Sequence, residues 1–182
     1  MTEKDVCTLI KNDPWMMQVL RTALSYNLPD WMIGAGFVRN KVWDALHGYQ
    51  RAGVDTQDID LVYYDTTQAS KSAEQQHDAA LRSLFDAPWS CKNQARMHHK
   101  HGRDIPYKET IEGVAEWVET ATSVAVRLEA DDSFRIFAPH GIDDLVALTL
   151  RPTSAQVDRS LFLGRIKTKR WIERWPKLSI AI

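Results

Sequence analysis

Residues 33–65 read IGAGFVRNKVWDALHGYQRAGVDTQDIDLVYYD, and this stretch decides the fold. It opens on the tail of a β-type run, Trp31-Met32-Ile33, which stops at Gly34-Ala35-Gly36. From Phe37 the apolar period becomes helical: Val38, Val42, Ala45 and Leu46 fall on one stripe, and Gly48 suits a helix C-terminus. A polar turn follows. The chain then re-enters a β-rich run, Ile59, Leu61, Val62, Tyr63 and Tyr64, which begins inside the acidic triplet Asp58-Ile59-Asp60. The order is strand, small-residue bend, helix, acidic strand.

Two features of that order carry chemistry. Alternate residues of a strand project to one face, roughly 6.5–7 Å apart. Asp58 and Asp60 placed so would repel each other unless a cation lay between them, which favours a hard divalent ion. Magnesium is typically held by one or two carboxylates together with substrate phosphates, and manganese shares its preference for oxygen. The plain alternative is that Asp58 only starts the strand and Asp60 pairs with a surface base. The second feature is Gly34-Ala35-Gly36: small residues between a strand and a helix let backbone N–H groups approach a phosphate at the helix N-terminus. Arg39, in the first helical turn, is a forked donor that could reach the same anion. A tight turn explains the glycines equally well, and Arg39 would then be a surface charge.

Working outward, Asp13-Pro14 reads as an N-cap and first helical residue, with Trp15, Met16, Val19, Leu20, Ala23 and Leu24 as the buried stripe of a helix to about Asn27. A polar helix is expected from Ala69 to Phe85, stopped by Pro88, and a strand from Trp89 to Met97. An amphipathic helix is expected over Glu109 to Val118. Ser123–Glu129 and Phe134–Phe137 flank the turn Asp131-Asp132-Ser133 as a hairpin. A short helix near Gly141–Leu145 and one final helix from Val157 to Trp175 follow. Helices and strands interleave without a regular βαβ repeat, which predicts an α+β fold with a mixed sheet and helices packed on it.

Composition narrows the function classes. The chain has 182 residues, a net charge of -1 and 44% hydrophobic residues, which suit a single buried domain. Near neutrality disfavours extensive duplex wrapping, but a nucleotide needs only a local positive patch. Cys7 and Cys91 show no metal-type spacing and suggest a reducing, cytoplasmic setting; no stretch is apolar enough to span a bilayer, and the N-terminus carries no secretory leader. Seven Trp residues point to aromatic packing. The basic segment from Lys92 to Arg103, KNQARMHHKHGR, reads as a phosphate site or as a solvated loop; metal binding by His98, His99 or His101, with Cys91, is a third reading that the surrounding cations oppose. Within it Lys92, Asn93, Gln94 and Arg96 are the better nucleotide-binding candidates, because polar groups in a strand need partners. The tryptophans of the basic C-terminal segment, Trp171 and Trp175, are read as packing that helix onto the domain rather than as a stacking platform.

Residues 33–65 resemble the head domain of class II CCA-adding enzymes and bacterial poly(A) polymerases, within the polymerase-β-like nucleotidyltransferase superfamily. Those heads carry G-G-x-V-R-D-x-L-L-G and then a D-x-D strand, matched here by Gly34, Gly36, Val38, Arg39, Leu46, Gly48, Asp58 and Asp60. FRIFAPHGIDDLVALTLRP is similar to a second family segment through Gly141, Asp144, Leu145 and Arg151. The chain also resembles a stand-alone bacterial nucleotidyltransferase-like family, through A-G-x-V-R-N, D-I-D-x-V-Y-x-D, K-N-Q-A-R-M-H and the ending Trp171, Trp175-Pro176. The resemblance implies one domain over 1–182, with a catalytic head over 1–152 and a helical extension over 153–182. It implies transfer of a nucleoside monophosphate from an NTP to an unidentified acceptor, whether small molecule, RNA or protein. Asp58 and Asp60 would be the catalytic metal ligands for magnesium or manganese, and Gly34, Gly36 and Arg39 would lie around the triphosphate. Three departures stand out. Ala35 sits in a bend that is usually glycine or serine, and Asn40 replaces the family's aspartate. The strand expected to give a third carboxylate, WSCKNQARMH, contains no acid, which leaves Asp65 or Glu129 as candidates. Without that acid, the alternative is a non-catalytic nucleotide- or RNA-binding module. The tRNA-gripping neck and body domains of the family are missing, so CCA addition itself is not expected.

Overall fold

A computed structural model describes residues 1–50, 53 and 56–182. The polar turn between Gly48 and Asp58 therefore lies partly outside the described residues. The helices are α1 (Glu3–Lys11), α2 (Pro14–Tyr26), α3 (Gly36–His47), α4 (Lys71–Leu84), α5 (Thr110–Ala115), α6 (Asp143–Val146), α7 (Arg159–Thr168) and α8 (Trp171–Arg174). The strands are β1 (Met32–Gly34), β2 (Ile59–Tyr63), β3 (Trp89–Asn93), β4 (Ala125–Leu128), β5 (Phe134–Phe137), β6 (Thr149–Leu150) and β7 (Ser179–Ile180).

Five strands form one mixed sheet in the order β3-β2-β1-β4-β5, so the α+β expectation holds. Only β2 and β3 run parallel, and α4 makes the crossover between them. The two faces of the sheet differ. Ile33, Leu61, Tyr63, Cys91, Val126 and Leu128 point into a large core shared with α1, α2 and α3 and the C-terminal tryptophans. Met32, Val62 and Ala125 point the other way and meet Val114, Ile111 and Trp117 of α5 and the loop after it, a much smaller cluster. The alternation along β2 puts Asp60 on this second, partly covered face.

Local chemistry explains the element ends. Asp13 Oδ1 accepts from the amides of Trp15 and Met16, and Pro14 follows at the first helical position. Its Oδ2 accepts from Lys41 Nζ (2.5 Å) and the Gly53 amide (2.9 Å), so one carboxylate ties α2, α3 and the loop before β2 together. Burial raises the Asp13 carboxyl, but the Lys41 ammonium and the Met16 and Gly53 amides outweigh it and leave it below the usual carboxylate range. Gly48 closes α3 at φ 73.

Three boundaries differ from the sequence reading. Helix α1 was not anticipated; a Thr2/Asp5 capping box starts it, and Val6 and Ile10 bury its inner side. The strand expected over Trp89–Met97 ends at Asn93, where the Asn93 side chain accepts from the Ala95 amide and turns the chain into short 3₁₀ turns. The single final helix is two, because Arg170 takes φ 52 and breaks α7 from α8; β7 then pairs parallel to β6. Trp171 and Trp175 are buried against Trp43, and Trp175 Nε1 donates to Asp44 Oδ1 at 2.8 Å, which is the packing role expected of them. No described helix is long and apolar enough to cross a membrane.

Candidate active site

The register of the sheet assembles the site. β1 and β2 pair antiparallel with Met32 opposite Val62 and Ile33 opposite Leu61, and one further step along the ladder sets Gly34 level with Asp60. Gly34 pairs with Ala125 on its other side, and Asp60 pairs with Ser90 of β3. A row therefore crosses the sheet as Ser90, Asp60, Gly34, Ala125. The row lies where β1 gives way to α3, so Asp60 stands beside the bend and the N-terminus of that helix.

Each residue of the bend has its own constraint. A Cβ on Gly34 would lie 2.8 Å from the Val124 carbonyl oxygen and 2.9 Å from Trp117, so glycine lets β4 and Trp117 close on β1. A Cβ on Gly36 would lie 2.7 Å from Thr56 Oγ1, so this glycine admits the loop that leads to Asp58. Thr56 Oγ1 donates to the Asp58 carbonyl at 2.8 Å and fixes that approach. Ala35 between them adopts φ 51, ψ -124, a conformation that favours glycine and costs an alanine on the order of 1–3 kcal/mol.

Asp58 is exposed and Asp60 half-buried. No described cation lies within ion-pair distance of either carboxylate. Burial, and after it the neighbouring Asp58, pushes the Asp60 carboxyl up to about 6, while Lys92, Arg39 and Lys169 pull it down. Two acids that repel each other and lack a direct counter-charge are the donor set that a hard divalent ion suits. Among the described residues, no group of three or more His, Cys, Asp or Glu side chains could hold a metal ion.

The cations around this pair come from three elements. Lys92, on β3, places its ammonium 3.0 Å from Ser90 Oγ and 3.1 Å from the Cys91 carbonyl oxygen. Lys169, at the α7–α8 break, reaches Gln57 Oε1 at 3.4 Å. Arg39 is buried: it donates to Thr122 Oγ1 (2.8 Å) and Asn40 Oδ1 (3.1 Å), and its guanidinium lies 4.4 Å from the Trp171 ring centre. Burial lowers its pKa to about 10, with Glu119 and Asp60 acting to restore it. Glu119, fully buried, is bound by Arg165 of α7 at 2.7 Å. The sequence reading misses Thr122 and Glu119, and it takes Arg165 and Lys169 only as part of the basic C-terminal segment. The run 119–123 was the available signal, because Glu119, Thr120, Thr122 and Ser123 precede an apolar strand and all four are buried and must find partners.

The remaining candidates lie elsewhere. Asn93, opposite Tyr63, donates to the Asp65 carbonyl and accepts from the amides of Asp65 and Ala95. Arg96 grips buried Glu74 of α4 through two bonds of 2.8 and 2.5 Å. Both brace the far end of β2 and β3. Neither candidate for a third carboxylate reaches the site. Asp65 is five residues beyond Asp60 along an extended chain, about 16 Å away, and its carboxylate accepts from Thr67. Glu129 lies at the opposite end of β4 from Ala125, bonded to Arg127. The strand beside Asp60 offers Ser90 and Lys92 in place of an acid. Among the described residues the histidines form no metal cluster: the His98 and His99 rings touch at a tilt, and His101 bonds the Tyr107 hydroxyl. Asp144 joins Thr120 Oγ1 (2.7 Å) to Arg151 Nε (3.0 Å), a structural use of the acid in the second family segment.

Comparison with known proteins agrees with this fold. The solution structure of a protein that reveals a CCA-adding enzyme head domain matches with a TM-score of 0.84 and 26% identity, covering 98% of this chain and 95% of that one. The Thermotoga maritima CCA-adding enzyme complexed with tRNA matches at TM-score 0.61 and 16% identity, and a CCA-adding enzyme complex with CTP at 0.57 and 17%. Each of these two alignments covers 97% of this chain but only 42% and 43% of the enzyme, so the present fold spans less than half of their length. No curated protein matches. The model of a family described as nucleotidyltransferase matches residues 21–180, from the middle of α2 through the β7 strand, and the chain belongs to that nucleotidyltransferase family.

Proposed function

We propose that the chain transfers a nucleoside monophosphate from an NTP to an acceptor, with Asp58 and Asp60 holding one divalent ion, magnesium or manganese. The observation that carries this reading is the row Asp60–Gly34 at the foot of α3: two carboxylates with no direct counter-charge beside a helix N-terminus. The bound ion would supply charge neutralisation on the departing pyrophosphate and activation of the attacking oxygen. The protein supplies the rest. Amides of the first turn of α3 face the triphosphate, which the helix dipole favours. Gly36 keeps the Thr56–Asp58 approach close to that turn. Lys92 donates to a phosphate oxygen from the β3 side. Arg39 works from beneath: held on Thr122 and Trp171, it fixes the start of α3 and keeps positive charge under Asp60 without touching phosphate. Asn93 and Arg96 hold β2 and β3 in register. A reducing, cytoplasmic setting fits the two free thiols, Cys7 and Cys91.

One observation favours a second reading, a nucleotide- or RNA-binding module without catalysis. β3 brings Ser90 and Lys92 to the row where a third acid would complete a two-ion site. A thermal-shift screen of the four NTPs, with and without magnesium, separates the two. The enzyme reading predicts stabilisation by an NTP only with magnesium, lost in the Asp58→Asn, Asp60→Asn double variant. Stabilisation that ignores the metal and survives the double variant supports the binding module.

A further inference from the structure

We infer that Lys92 takes the place of a second metal ion, so that the site holds a single divalent cation through Asp58 and Asp60 and completes its positive charge with an ammonium group. The inference rests on the nucleotidyl-transfer reading and deepens it. Two-ion phosphoryl-transfer sites set their cations about 3.5–4 Å apart and need carboxylates to bridge them. Here the neighbouring strand gives no bridging carboxylate. Asp60 is paired across the ladder with Ser90, and Lys92, two residues on and therefore on the same face, folds its side chain back along β3 until Nζ lies 3.0 Å from Ser90 Oγ. The Cys91 carbonyl oxygen, at 3.1 Å, is its second anchor. These two acceptors hold the ammonium at the level of Asp60 and keep it from swinging out to solvent.

Two details fit this use better than a simple ion pair. Lys92 makes no salt bridge to either aspartate, so a gap remains between ammonium and carboxylate, where a phosphate oxygen can enter. An ammonium has three N–H donors; two are used, and the third is available to that oxygen. A fixed positive charge at this point also repels a second divalent ion, and Asp65 and Glu129, the acids that might have offset it, are held at the far ends of their strands. Lysine suits the position because its charge is compact and its stem reaches.

The test is a titration with Mn2+ in the presence of an ATP analogue whose α–β bridging oxygen is a methylene group, read by electron paramagnetic resonance and calorimetry. Wild type is expected to take one Mn2+ per chain with no Mn–Mn spin coupling. Lys92→Asp is expected to take two coupled ions. Lys92→Met is expected to keep one ion but bind the analogue about tenfold more weakly, the loss of one charge-assisted hydrogen bond. Lys71→Ala, on the exposed start of α4, should behave as wild type. Two coupled ions in the wild type, or unchanged analogue binding in Lys92→Met, overturns the inference while leaving nucleotidyl transfer intact. If Lys92→Asp does not fold, the wild-type stoichiometry and Lys92→Met decide. No Mn2+ bound by the folded wild type removes the nucleotidyl-transfer reading and this inference with it.

Discussion

The two ends of β2 use charge in opposite ways. At its beginning, Asp58 and Asp60 stand side by side without an ion pair, and the nearest cations act from a distance. Beyond its end, the charged groups Glu74, Arg96 and Asp65 are each bonded. Glu74 takes both the Arg96 guanidinium and the Asn93 amide, Asn93 ties two segments together, and Asp65 is closed by Thr67. A buried or half-buried charge that has found its partners is scaffolding. One left without an ion pair, in a fold whose buried acids Asp13, Glu74 and Glu119 each have one, has been kept for something that arrives later.

That contrast can be broken from either end. The largest effect is expected from Asp60→Asn: nucleotidyl transfer should fall on the order of a thousandfold. The thermal midpoint without metal should hold or rise, because the substitution removes repulsion from Asp58. A steep fall in midpoint would mean that Asp60 is structural after all. Glu74→Ala, at the far end, should do the reverse. It should cost about 3 kcal/mol, lowering the midpoint by roughly 6–10 °C in calorimetry, with metal dependence of nucleotide binding unchanged. Asp13→Asn sharpens the comparison at a third carboxylate. Asparagine still caps α2, so the loss, about 1–2 kcal/mol at neutral pH, reports the charge facing Lys41. The Asp13 carboxyl is held low in the folded state, so its contribution is present above the ordinary carboxylate pKa and is lost as pH falls through the folded value. In acid titrations below about pH 4 the wild type should lose this increment and the variant should not. The smallest effect is at the bend: Ala35→Gly should raise stability by about 1 kcal/mol by removing the strain at φ 51, measured by denaturant unfolding.

Much of this was legible before any coordinates, and what was not has physical reasons. The run 33–65 carried its own punctuation. Gly34 and Gly36 marked the bend, Gly48 ended the helix, and β-branched and aromatic residues named the strand, so β1, α3 and β2 fall where their residues indicate. Asp58 and Asp60 could be singled out because a two-residue spacing in a strand has one geometric meaning. The fate of Asn93 and Arg96 was not legible. Polar side chains at a strand end look alike whether they await a ligand or grip Glu74, and only the crossover of α4 brings Glu74 to them. Arg39 shows the same limit. Its place in the first turn of α3 fits a phosphate ligand, but the C-terminal helices, more than a hundred residues later, cover it with Trp171. Ala35 looked like a mild departure in sequence, and the structure shows that it occupies the one strained backbone position of the bend. The α7–α8 break at Arg170 had no sequence signal, since arginine rarely takes a left-handed conformation.

The most direct test is a crystal grown with Mn2+ and a non-hydrolysable NTP analogue, examined by anomalous scattering at the manganese edge. A peak about 2.1 Å from a carboxylate oxygen of both Asp58 and Asp60, with the triphosphate at the first turn of α3, is the predicted result. A peak bound by only one of the two, or a triphosphate seated away from the Gly34–Gly36 bend, would contradict it.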